Sequence, residues 1–227
     1  MVAVVRDQPL GLVDEIAVHG WKQGLMIGWM TRTNVPDELA AGPLVLRRWR
    51  EEHLDVLMTA IGASLEQLEP WMPWVRQATR EAEQQFLRRA EQSFEEGVEF
   101  GFGVFEQGEA ALVGGCGMHG RHGPDLMEIG YWTESRHTGR GYATMAARAL
   151  THAAFRYFAH VHQVQIHCDV ANLASARIAQ KLGYRRAPDV DRAIVAPGQT
   201  GRGMVWTLAR SEYARSAGAS LLERGPR

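Results

Sequence analysis

The stretch EIGYWTESRHTGRGYATMA, residues 128–146, carries the reading of this chain. It runs as a strand, a short connection, a glycine-bearing turn and then an alanine-rich helix. Gly139 and Gly141 permit positive φ and let the backbone approach a ligand closely. The amides at the start of the helix then have no partner within it and meet the positive end of its dipole, which makes a site for phosphate. The dipole contributes only about 0.3–1 kcal/mol per anion, so several converging N–H bonds must supply the rest. Arg136 and Arg140 add positive charge. The turn lacks the Gly-Lys-Ser/Thr ending of a Walker loop and the three glycines of a dinucleotide fingerprint.

Downstream the pattern is regular. Residues 142–158 carry a helical stripe of Ala143, Ala146, Ala147, Leu150, Ala154 and Tyr157. Val164, Ile166, Cys168 and Val170 alternate with polar residues, as in a half-buried strand. Residues 173–182 read as a short helix stopped by Gly183, and Met204, Trp206 and Leu208 alternate in a last strand. Upstream, 44–49 reads as a first strand and 51–63 as a helix. Pro70 and Pro73 forbid a continuous helix across 65–74, and 81–94 reads as an amphipathic helix. Residues 98–106 and 110–119 form a strand pair around Gln107-Gly108, the second weakened by Gly114, Gly115 and Gly117; 126–133 is a third strand. This order predicts a single α/β domain, a mixed and mostly antiparallel sheet with helices on both faces.

The expected domain spans 43–210, with a C-terminal tail at 211–227. Residues 1–42, with Trp21 and Trp29 and no sustained period, read as an N-terminal extension; the sequence from Met30 also looks like a protein start. Of the 227 residues, 45% are hydrophobic and 22% charged, an ordinary globular balance. A net charge of -1 offers no field for nucleic acid. Cys116 and Cys168 sit in apolar runs and read as reduced core thiols. No apolar run approaches the ~18 residues of a membrane span, and no leader pattern opens the chain, so a cytoplasmic protein with no membrane partner is expected.

Arg136-His-Thr-Gly139-Arg-Gly141 matches the Arg/Gln-x-x-Gly-x-Gly/Ala pyrophosphate turn of the GNAT acyltransferases. Asn172-Leu-Ala-Ser175, followed by Leu182-Gly183-Tyr184, resembles that family's second element. The resemblance covers roughly 43–210, and the Glu-Ile-Gly-Tyr-Trp strand with Glu-Pro-Trp-Met-Pro-Trp at 69–74 is similar to the Rim-type branch. That resemblance implies an N-acetyltransferase carrying acetyl, or another acyl group, from acetyl-CoA to a primary amine by direct attack in a ternary complex. The amine would belong to a peptide N-terminus or a small molecule; a homodimer is left open. The implied cofactor contacts are Gly130, Tyr131, Trp132, Thr133, Arg136, His137, Thr138, Gly139, Arg140, Gly141, Tyr142, Ala143 and Asn172.

The same resemblance makes Glu128 a candidate general base, against the alternative of a rim carboxylate. Many relatives place a proton-donating tyrosine where this chain has Ile178-Ala179; Ser175 is the substitute the Rim-type branch implies, against a serine that merely bonds its own helix. Trp71 and Trp74 are candidates to line the acceptor cleft, or else core anchors. Asn172 also fits a helix N-cap. His119, His122, His160 and His162 lack metal-binding spacing, so no metal is expected. The missing tyrosine keeps open a degenerate domain that binds an acyl-CoA as a sensor or scaffold.

Overall fold

The central strands of the sheet are buried on both faces, and helices cover each face. The computed structural model describes residues 2–3, 35–120, 122–123 and 125–215. Its strands are β1 (Val2–Ala3), β2 (Glu38–Ala41), β3 (Leu44–Arg48), β4 (Glu99–Glu106), β5 (Leu112–His119), β6 (Leu126–Thr133), β7 (Gln163–Asp169), β8 (Arg185–Arg186), β9 (Val190–Asp191) and β10 (Arg202–Ala209). Between them lie α1 (Leu54–Gly62), α2 (Leu65–Leu68), α3 (Arg80–Glu95), α4 (Tyr142–Tyr157) and α5 (Leu173–Lys181), and α6 (Arg210–Arg215) comes after β10. The sheet order is β2-β3-β4-β5-β6-β7-β10-β8, with β1 on β6 and β9 on β10.

The β6–β7 pair is parallel, and every other adjacent pair is antiparallel. A parallel pair needs a long crossover, which α4 provides. The parallel register covers only Leu126↔Gln163, Met127↔Val164 and Glu128↔Gln165. Beyond Glu128 the edge of β6 turns to β1, with Val2 opposite Trp132 and Ala3 opposite Tyr131.

One face packs under α4 and α5. There Phe100, Phe102, Met118, Ile129, Tyr131 and Ile166 meet the alanine stripe of α4 and Ala176, Ile178 and Ala179 of α5. Small residues on that stripe let the helix lie close to the sheet. The other face carries Trp49, Phe105 and Trp132 under Leu57 and Ile61 of α1, Leu68 of α2 and Leu87 of α3. Thr79 caps α3 by accepting from Ala82 N–H at 3.2 Å, a contact typically worth about 1 kcal/mol.

Three sequence expectations change. Glu38–Ala41, placed in the extension, forms the outer edge strand on β3. Arg210–Arg215 continues as a helix into the expected tail, with Tyr213 buried on Phe155. β5 is nonetheless a full strand buried throughout, and its Gly115 makes room for an indole. A Cβ at Gly115 would lie 2.5 Å from Trp132 Nε1, and one at Gly101 on the neighbouring strand 2.9 Å from Trp49. Cys116 and Cys168 are free thiols, both buried. Trp21, Trp29 and Met30 lie outside the described residues. Among the described residues no helix is long and apolar enough to cross a membrane.

Candidate active site

The turn between β6 and α4 is organised by a carboxylate. Glu134 is fully enclosed, and its oxygens accept from Arg136 N–H at 3.0 Å, from Arg136 Nε at 2.8 Å and from His137 Nδ1 at 2.6 Å. Burial alone pushes its carboxyl up; the bonds from Arg136 and His137 outweigh that and hold it below the usual range. The turn so fixed leads through Gly139 and Gly141, with φ of 77° and 82°. The first bond of α4 runs from Met145 N–H to Gly141 carbonyl at 3.0 Å. Among the described residues no backbone carbonyl accepts from the amides of Tyr142, Ala143 or Thr144.

Those amides border a cleft of about 200 Å³ lined by Thr133, His137, Thr138, Gly139, Gly141, Tyr142, Ala143 and Thr144 on one side. Ala174, Arg177, Ile178 and Lys181 of α5 line the other. Free amides, a helix N-terminus and two cationic side chains suit a pyrophosphate. Arg177 and Lys181 were missed from sequence. Their signal was the 174, 177, 178, 181 spacing, which is one face of a helix.

The remaining expected contacts divide. Arg136 commits its Nε to Glu134, and Arg140 lies 3.9 Å from Glu106, which also accepts from the Tyr142 hydroxyl. Neither arginine lines the cleft, nor do Gly130, Tyr131, Trp132 or Asn172. Tyr131 turns its phenol to Ser175, at 3.2 Å. Trp132 packs edge-on to Trp74 at 6.4 Å between ring centres. Asn172 caps α5, its Oδ1 accepting from Ser175 N–H at 3.1 Å. Trp71 and Trp74 are half-buried against the second core, and the Trp71 carbonyl accepts from Gln199 at 3.3 Å. Ser175 is fully buried.

On the face of the sheet opposite α4 and α5, a polar cluster forms where β6 and β7 part. Glu128 stands opposite His119 on β5 and Gln165 on β7. His122, from the turn before β6, donates from Nε2 to Glu128 Oε2 at 2.6 Å. His167 Nδ1 lies 3.8 Å from the same oxygen, and its Nε2 donates to Gln165 Oε1 at 2.7 Å. The rings of His122 and His167 stack at 5.0 Å. Burial pushes the Glu128 carboxyl up, but the bond from His122 and the charges of His167, His119 and His122 prevail and hold it well below the usual range. Burial also lowers His167, partly opposed by Glu128.

Among the described residues, His122, Glu128 and His167 are the grouping that could hold a metal, with ligand atoms within 4.8 Å of one another. An ion about 2.0–2.2 Å from both would hold nitrogen and oxygen about 3 Å apart. The 2.6 Å between His122 and Glu128 is that of a direct charge-assisted hydrogen bond.

Residues 43–185 match the family model of the acetyltransferase (GNAT) domain. The chain belongs to the GNAT acetyltransferase family.

An uncharacterised N-acetyltransferase of Bacillus subtilis strain 168, YnaD, is 29% identical over 85 residues, 37% of this chain and 49% of that protein. The chain spans about half the length of the curated relatives it matches. Among solved structures, Mycobacterium smegmatis RimJ in complex with CoA-disulfide superposes with a TM-score of 0.72 at 22% identity, over 83% of this chain and 95% of that one. RimL, a ribosomal L7/L12 alpha-N-protein acetyltransferase in complex with coenzyme A, gives 0.70 at 18%, over 77% and 99%. The GNAT fold is thus shared with Rim-type acetyltransferases. Within this GNAT chain, the cleft lies on the α4–α5 side of the sheet and the Glu128 cluster on the other, at the point where β6 and β7 separate.

Proposed function

We propose that the protein is an acetyl-CoA-dependent N-acetyltransferase that acts on a primary α-amine, of a peptide N-terminus or a small amino compound. One observation carries this reading: a GNAT cleft that gathers the amides of 142–144, two positive-φ glycines, Arg177 and Lys181 around space for a pyrophosphate. The cofactor would supply an activated acetyl thioester. The chain would anchor its phosphates at the turn and on α5, leaving the reacting end to pass between β6 and β7. The catalytic domain would comprise 43–210 together with the edge strand Glu38–Ala41 and the helix Arg210–Arg215, in a cytoplasmic protein that needs no metal.

Glu128 and the histidines around it stand across the sheet from the donor cleft, where an amine would arrive. The name of RimL, an alpha-N-protein acetyltransferase, points to protein N-termini. Amine chemistry points the same way: an α-amine with a pKa near 7.7–8.0 is roughly a tenth neutral at pH 7, whereas a lysine near 10.4 is neutral about once in several thousand. The test measures coenzyme A release at pH 7. Two peptides compete: one with a free N-terminus and no lysine, the other blocked and carrying a lysine. Faster reaction of the α-amine is expected; preference for lysine overturns the substrate class, and no release with any amine overturns the activity.

The second reading is an acyl-CoA-binding domain without turnover. Its support is Ser175, fully buried beside Tyr131, with Ile178-Ala179 in the tyrosine's usual place. It predicts a CoA-dependent melting shift with no acetyl transfer.

A further inference from the structure

We propose that His122 takes the proton from the attacking amine, and that Glu128 is the carboxylate that orients it. This rests on the acetyltransferase reading above. Glu128 Oε2 lies 2.6 Å from His122 Nε2. An ionised carboxylate only accepts, so Nε2 carries the hydrogen and Nδ1 carries the lone pair. The side chain of His122 is 43% exposed and that of Glu128 is 7% exposed, so an incoming amine meets the imidazole first.

The surroundings fix the ring. His167, from β7, stacks on it at 5.0 Å and is itself tied to Gln165. That tie commits His167 Nε2, and its Nδ1 faces the Glu128 oxygen at 3.8 Å, so His167 supports the dyad instead of receiving substrate. The groups bearing on the cluster come from each neighbouring element: His119 from β5, Glu128 from β6, His167 from β7 and Arg192 from the segment after β9. Glu128 already accepts the His122 Nε2–H at 2.6 Å and is screened from solvent, so it is a poor acceptor for an amine proton. An imidazole with a free ring nitrogen is the side chain most often placed to take such a proton.

The step balances. The amine nitrogen bonds to the acetyl carbonyl carbon, and the carbon–sulfur bond breaks with its electron pair on sulfur. The proton of the new ammonium passes to His122 Nδ1, and the imidazolium, stabilised by Glu128, releases it to solvent at its exposed edge. The thiolate takes a proton from solvent, giving an amide and a free thiol.

Two measurements on the full chain test this. Long-range ¹H–¹⁵N spectra at pH 8, with H122Q identifying the resonances, should show His122 as the Nε2–H tautomer, and E128Q should lose that preference. In steady state, H122Q should lower kcat/KM at pH 7 about 100-fold with the CoA-dependent melting shift retained. The rise of kcat/KM through the imidazole range should disappear in H122Q, and added imidazole should restore part of the rate to H122A. An Nδ1–H tautomer overturns the assignment. So does full activity in H122Q, or a stoichiometric divalent ion in the purified protein released by H122Q. A wild type that transfers no acetyl group overturns the reading beneath it and the base assignment with it.

Discussion

The phenol of Tyr131 on β6 lies 3.2 Å from the hydroxyl of Ser175 on α5, and both side chains are sealed from solvent. Burial drives the Tyr131 pKa up, and the bond to Ser175 opposes it. The contact ties the helix that bears Arg177 and Lys181 to the strand that ends at Thr133, and all three of these residues line the cleft. Replacing Ser175 by Ala leaves the buried Tyr131 hydroxyl only a long contact to the Ser175 carbonyl, at 3.5 Å, and the expected cost is about 1–3 kcal/mol. Adding Tyr131→Phe should recover most of it. Urea denaturation of the two single variants and the double variant reads the coupling; additive losses would show that the two hydroxyls do not support one another.

Gly141 is the N-cap of α4 at φ 82°, and a Cβ there would meet nothing within 4 Å. Its requirement is therefore conformational. Gly141→Val forces a β-branched residue into the left-handed region and displaces the amides of 142–144. The variant should fold with a lower melting temperature and lose the stabilisation by acetyl-CoA, about 2.7 kcal/mol at a hundredfold excess over Kd in the wild type. An unchanged CoA-dependent shift, read by calorimetry, would falsify the phosphate role of this turn.

Arg177 and Lys181 line the cleft from α5, whereas Arg136 and Arg140 are drawn to Glu134 and Glu106. Lys181→Ala or Arg177→Ala should weaken CoA binding about tenfold, the scale of one charge-assisted hydrogen bond. Each should also flatten the salt dependence of Kd. Arg140→Ala should do less than either. Titration calorimetry at two ionic strengths separates them; the reverse ranking would move the phosphates to the other wall.

His167 is lowered by burial and partly raised by Glu128. A base depressed in the folded state contributes stability above its unfolded pKa, about 6.5, and loses it as pH falls from there through its lower folded value. Glu128 limits the loss by receiving the charge. Glu128→Gln removes that compensation, so its melting temperature should fall more steeply than the wild type's between pH 7.5 and 5.5. Parallel slopes in the two proteins would mean that the carboxylate and imidazole are uncoupled.

The glycine turn and the helix after it were legible from residues near one another in the chain. A positive-φ turn, a helix start and an alanine stripe are local requirements, so 136–147 announces them without help from the rest of the molecule. The sheet was legible from period-two alternation and short turns, because each strand must bury one face. The parts that sequence misjudged depend on distant partners. Gly115 reads as a weak point in a strand until Trp132 lies over it, and the pairing of Arg140 with Glu106 depends on β4 arriving beside the turn. His119, His122, Glu128 and His167 carry no common spacing, since they converge through the registers of β5, β6 and β7. Chain neighbours set backbone conformation; side chains from separate strands meet only when pairing fixes the register, so the glycine turn could be read in advance and the cluster around Glu128 could not.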